Sequence, residues 1–168
     1  SDLAGPPAVR AQDSAVLPAL VRLNSGYRVT ADVTYLKAGA VESKLDVYQN
    51  RAATSPSPTL VWIHGGNWVG GSRTVSLPSL LPFLAMGWNV VNVDYRMLPA
   101  APAPAAVEDC HCALRWVAEH AKDYNIDLSR LVVGGNSAGG QLSLMAAMAP
   151  ISAGFDALCP AAREVKVD

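Results

Sequence analysis

Gly135-Asn136-Ser137-Ala138-Gly139 sets a serine in a G-x-S-x-G pentapeptide, and its surroundings say more than its letters. The apolar run Leu131-Val-Val-Gly134 enters it and the apolar stretch Ala138–Ala149 leaves it. A serine on a sharp strand-to-helix turn is held strained, with its hydroxyl exposed to attack a carbonyl. Such a turn needs small neighbours, and Gly135, Ala138, Gly139 and Gly140 supply them. The N–H groups at the start of the following helix favour negative charge developing beside that hydroxyl. The bland alternative is a plain turn that happens to contain serine. Strand, helix and flanking glycines together favour Ser137 as a nucleophile.

A second glycine-rich segment, His64-Gly65-Gly66-Asn67-Trp68, follows directly on the apolar run from Thr59. Attack on a carbonyl puts negative charge on its oxygen, and each backbone donor aimed there is worth roughly 10²–10³ in rate. Glycines let N–H groups point inward unobstructed. Gly66 and Asn67 are the expected donors, with Ala138 as the third and Gly65 as a lesser contributor. Trp68 either lines the acyl or alcohol pocket of a substrate or packs beneath the loop.

These segments need elements to position them. Tyr27–Leu36 and Lys44–Gln49 read as strands joined at Gly39, and Asn50–Ser57 reads as a loop. Thr59–His64, Asn89–Asp94 and Leu131–Gly134 are solid apolar runs, the pattern of strands buried on both faces. Leu77–Met86 reads as a helix whose start Pro78 and Pro82 blur. A helix starts near Pro104, with Val107, Cys110, Leu114, Val117 and Ala121 as its apolar stripe. Pro150 stops the helix after Ser137, a loop follows to Arg163, and Glu164–Asp168 begins another strand. Strands alternating with helices predict an α/β fold, a mostly parallel central sheet with helices on both faces. Residues 1–26 read as an N-terminal arm with a short helix near Leu17–Leu23, and 27–168 as part of one catalytic domain.

Composition narrows the function classes. The net charge is −1 over 168 residues, with no long basic run to recruit nucleic acid or an anionic membrane. No apolar stretch approaches the roughly 18 residues that span a bilayer. Ser1–Pro7 lacks the layout of a signal peptide, which leaves a cytoplasmic protein and a secreted one with its signal removed equally open. Three cysteines, Cys110, Cys112 and Cys159, argue against a disulfide framework while leaving room for one bridge. Cys-X-Cys without a second ligand pair is a weak metal signal, and packing is the expected role.

His64-Gly-Gly-Asn-Trp68, Asp94-Tyr-Arg96, Pro102-Ala-Pro-Ala-Ala-Val-Glu-Asp109 and Gly135-Asn-Ser-Ala-Gly-Gly140 occur in that order. Together they resemble the hormone-sensitive-lipase-like and bacterial feruloyl-esterase-like carboxylesterases of the α/β-hydrolase superfamily, over residues 27–168. The resemblance implies hydrolysis of a small-molecule ester, short-chain or aryl, with no cofactor and no metal. It implies that His64 braces the oxyanion loop and that Asp94, Tyr95 and Arg96 organise the site from beneath. Asn67 stands where the lipase-like group usually has glycine, and a backbone N–H serves from either. Ala100 stands where that group often has glutamate. The His-Gly-Gly-x-Trp form is also similar to kynurenine formamidases, which makes an arylformamidase the second enzymatic reading.

In this fold the chain order is serine, then acid, then histidine. No histidine follows Ser137, and after the elbow helix only Cys159, Glu164 and Asp168 offer any chemistry. His111 and His120 read as packing or solvated residues. The expectation is that further C-terminal strands, the acid and the histidine come from a second polypeptide or a segment outside this chain. An apolar strand at Leu131–Gly134 would otherwise lie at an open, aggregation-prone edge. A non-catalytic binding protein on the same scaffold is the reading from another class.

Overall fold

The computed structural model describes residues 25–161 and Val167. The expected arm helix, and all but Val167 of the expected strand Glu164–Asp168, lie outside them. Five strands form one sheet: β1 (Tyr27–Ala38), β2 (Val41–Asn50), β3 (Ser57–Ile63), β4 (Asn89–Val93) and β5 (Ile126–Gly135), ordered β1-β2-β4-β3-β5. β1 and β2 pair antiparallel, as do β2 and β4. The three solid apolar runs make the parallel part, with β3 between β4 and β5. Among the described residues, α1 (Arg73–Ala85) joins β3 to β4, α2 (Ala103–Glu119) joins β4 to β5, and α3 (Ala138–Met148) follows β5.

Alternation along each strand divides the core between two faces. Val61, Ile63, Val91, Val93, Leu45 and Val47 point to the side covered by α2 and α3, where Val117 and Leu142 are buried. Leu60 and Val90 point to the other side, against Leu80 and Leu84 of α1. β5 is an outer strand among the described residues. Beside it runs a groove lined by Val133, Gly134, Leu144, Met148 and Val167, and Leu144 and Met148 are exposed. No helix among the described residues is long and apolar enough to cross a membrane.

α1 starts at Arg73, a turn before the expected Leu77, and encloses both prolines. Each proline removes one helical hydrogen bond, a cost that is smallest where the freed carbonyl meets water. Pro78 and Pro82 lie on the exposed face, while Ser76, Leu80 and Leu84 form the buried stripe. The first turn is fixed from outside: Asp94 Oδ1 accepts from the Arg73 N–H at 2.6 Å, where an anion suits the helix dipole. β5 likewise starts earlier than expected, at Ile126.

Cys112 and Cys159 form a disulfide that clips the segment after α3 to α2, the one bridge the cysteine count allowed. Cys110 is free and buried, and burial pushes its thiol well above the usual range. α2 also buries a charge. Asp109, fully buried, accepts from Arg96 Nε, Arg96 N and Ser43 Oγ, each at 2.8 Å. This joins α2 to β2 and to the segment after β4.

α3 packs onto the end of β3 with no side chain between them. A Cβ on Gly139 would lie 2.0 Å from the Ile63 carbonyl oxygen, and one on Gly135 would lie 2.3 Å from it. Backbone cannot yield to such overlap.

Two predictions follow from these contacts. Asp109→Ala removes the buried acceptor of Ser43 and of the Arg96 N–H, leaving Glu108 as the acidic partner of Arg96, and should lower stability by roughly 1–3 kcal/mol in urea unfolding. Gly139→Ala should cost about 3 kcal/mol or more. Gly140→Ala, whose Cβ would stand 3.4 Å from Gly135 O, should stay within about 1 kcal/mol of the native protein.

Candidate active site

Ser137 ends the turn between β5 and α3 with φ 52° and ψ −120°. A non-glycine residue at positive φ costs about 1–3 kcal/mol, so the surrounding structure must impose it. The turn is closed by Gly139 N–H to Asn136 O at 2.9 Å and by Gln141 N–H to Ser137 O at 3.2 Å. Ser137 is exposed and its hydroxyl makes no capping bond to the helix it heads. The hydroxyl is therefore open to solvent at the head of α3.

The glycine-rich loop leaves β3 next to this turn, because Ile63 lies against Gly135 and Gly139. Gly66, Asn67 and Trp68 have φ of 128°, 53° and 61° in succession. Asparagine tolerates this region and tryptophan seldom does. The loop curls so that Gly66 O accepts from Val69 N at 3.1 Å and Gly70 N at 3.0 Å. Among the described residues, none of the Gly66, Asn67 and Ala138 N–H groups has a protein acceptor. The Gly65 N–H does have one: Asn136 Oδ1, at 3.1 Å. Gly65 is thereby engaged in holding the loop, which leaves Gly66, Asn67 and Ala138 as the open donors.

His64 lies beneath this loop, 1% exposed. Its ring stacks on Tyr95 with centroids 4.4 Å apart, and Nδ1 lies 2.8 Å from Gly65 O. A carbonyl can only accept, so Nδ1 carries the proton of that bond. Nε2 is 3.6 Å from Asp94 Oδ1, beyond hydrogen-bond reach. The Tyr95 hydroxyl donates to His64 O at 3.0 Å. Burial, with smaller effects from Cys110 and Asp94, pushes that hydroxyl up to about 12, so it keeps its proton at neutral pH.

Asp94 is held in turn by Arg73 Nε at 2.9 Å, and Arg73 Nη1 reaches Asp46 at 2.7 Å. Trp68 O accepts from Leu98 N at 2.8 Å, and its ring, partly buried, packs against the main core. The packing role of Trp68 is thus visible.

The remaining histidines are committed elsewhere. His111 stacks near Phe155, and burial pulls it below the ordinary imidazole value. His120 tilts against Trp116 and pairs with Asp123 at 3.0 Å. None of these contacts involves Ser137. Among the described residues no group of three His, Cys, Asp or Glu side chains is arranged to hold a metal.

Arg73, Ser43 and Asn136 carry parts of this arrangement that the sequence reading did not single out. Asn136 occupies the variable second place of G-x-S-x-G, and its side-chain amide was the available signal. Nothing local marks Arg73, whose partners Asp46 and Asp94 come from two other strands or their ends.

Comparison with known proteins agrees with this architecture. A family model described as BD-FAE matches residues 45–168. Carboxylesterase NlhH of Mycobacterium tuberculosis (strain CDC 1551 / Oshkosh) is 37% identical over 110 residues, covering 65% of this chain and 34% of that protein. The structure named "Bacterial Heroin Esterase" superposes with a TM-score of 0.70 at 30% identity, covering 96% of this chain and 49% of its own. Thermogutta terrifontis esterase 2, in a structure phosphorylated by paraoxon, gives a TM-score of 0.66 at 29% identity, with coverage of 74% and 48%. The chain thus spans about a third of the curated relative and about half of each structure. The fold is that of an α/β-hydrolase, and the chain belongs to the BD-FAE family.

Proposed function

We propose that the protein is a serine carboxylesterase that hydrolyses short-chain or aryl esters through an acyl-enzyme on Ser137. The observation that carries this is one juxtaposition. An exposed serine at φ 52° stands beside a loop that leaves the N–H groups of Gly66 and Asn67 open, with that of Ala138 behind it. Ser137 Oγ attacks the ester carbonyl while a base takes its proton. The carbonyl oxygen becomes an oxyanion and accepts from Gly66, Asn67 and Ala138. Collapse expels the alcohol with that proton, and water then attacks the acyl-enzyme to release the acid.

A serine without a base is a poor nucleophile. His64, His111 and His120 all have other engagements. In this reading the acid and histidine of the triad are supplied by a further segment or a second polypeptide. The open side of β5 and the exposed Leu144 and Met148 of α3 form an apolar face suited to receive it.

The names of the relatives support an ester over an N-formyl amide, although the same three donors would serve either. Phosphorylation of the Thermogutta esterase by paraoxon is the class of reaction we assign to Ser137. The intact elbow and loop glycines weigh against a binding protein that has lost catalysis. Intact-mass spectrometry after a fluorophosphonate probe tests the proposal, with p-nitrophenyl butyrate hydrolysis measured alongside. One adduct is expected on the native protein and none on Ser137→Ala, whose hydrolysis should fall by at least about 10³-fold. Undiminished hydrolysis or labelling in Ser137→Ala would refute it.

A further inference from the structure

We infer that Asn136 is a positioning residue that sets the distance between the two halves of the oxyanion hole. The inference rests on the esterase reading above and deepens it. One half of the hole, the Ala138 N–H, belongs to the elbow. The other, the N–H groups of Gly66 and Asn67, belongs to the loop after β3. Asn136 touches both. Its carbonyl accepts from Gly139 N at 2.9 Å, closing the elbow. Its side-chain oxygen accepts from Gly65 N at 3.1 Å, the residue just before the two loop donors.

The remaining hydrogen bonds of the loop lead elsewhere. Val69 N and Gly70 N return to Gly66 O, and Trp68 O is tied to Leu98 N beyond β4. His64 Nδ1 bonds Gly65 O within the loop itself. Among the described residues, the Asn136 amide is the hydrogen bond that fastens the loop to the Ser137 side. The fit is close: a Cβ on Gly65 would stand 2.7 Å from Asn136 O and 2.8 Å from its Nδ2. Positive φ at two successive non-glycine residues, Asn67 and Trp68, gives the loop strain to release if that fastening goes. Freed at Gly65, the loop donors would drift from the oxyanion while the nucleophile stayed in place. Displacement of about an ångström is enough to cost around 10²-fold in rate.

A structural role alone would lower stability without separating kcat from KM. Asn136→Ala and Asn136→Asp are compared with the native sequence in protein competent for ester hydrolysis, using p-nitrophenyl acetate and amide hydrogen exchange at Gly65. Asn136→Ala should lower kcat roughly 10- to 100-fold with KM within about twofold, and the Gly65 amide should lose protection. Asn136→Asp keeps an acceptor oxygen, so it should keep Gly65 protected and recover most of kcat.

If Asn136→Ala holds kcat within about twofold of native, or leaves the Gly65 amide as protected as before, the inference is overturned. Should Asn136→Ala fail to fold, Asn136→Asp decides: loss of Gly65 protection there also overturns it. A native protein that neither hydrolyses esters nor labels at Ser137 refutes the esterase reading instead. Exchange at Gly65 still reports whether Asn136 holds the loop.

Discussion

The site depends on a contact that excludes side chains. The last carbonyl of β3, on Ile63, lies where a Cβ of Gly135 or Gly139 would otherwise be. That approach lets α3 begin directly against the end of the sheet. It also brings two segments far apart in sequence to one place, since the chain continues from Ile63 into the His64 loop and from Gly135 into Ser137. Any larger residue at position 135 or 139 would push them apart. The distance between the Ser137 turn and the loop after β3 is thus set first by the absence of atoms, and then by the Asn136 hydrogen bond laid across the gap.

This arrangement is strained and must be braced. Ser137, Asn67 and Trp68 are all non-glycine residues at positive φ, each costing on the order of 1–3 kcal/mol. Two arginines organise the brace. Arg73 joins Asp94, Asp46 and Asp32, fixing the start of α1 to the end of β4 and to β2 and β1. Arg96 holds the buried Asp109 carboxylate, which also accepts from Ser43 of β2. Between them stands Tyr95, stacked on His64 and donating to its carbonyl. The loop after β3 therefore rests on a floor of paired charges and a stacked ring pair.

Much of this was legible in the sequence because it is local. Solid apolar runs marked β3 and β4 as buried parallel strands and flanking glycines marked the serine turn, whereas β5, parallel but outermost among the described residues, buries only Leu131 of its apolar run. The features that escaped depend on distant partners. The start of α1 was blurred because its prolines look like breakers, whereas they lie on a solvent face and Asp94 secures the first turn. β5 begins at Ile126 because the chain before the apolar run already pairs with β3 at Ser57. Asp109 sits among apolar residues of α2 and looks like an error in the stripe until Arg96 and Ser43 supply its bonds. The Cys112–Cys159 pairing needed the fold of the segment after α3, which no spacing rule gives.

The central claim is that Gly66, Asn67 and Ala138 converge on one oxygen held by Ser137. A crystal structure of the protein after reaction with a fluorophosphonate tests it most directly. The account predicts phosphorus on Ser137 Oγ, with the phosphoryl oxygen about 2.7–3.1 Å from all three backbone nitrogens. A Ser137 adduct whose oxygen points to solvent, or an adduct on another residue, would contradict it.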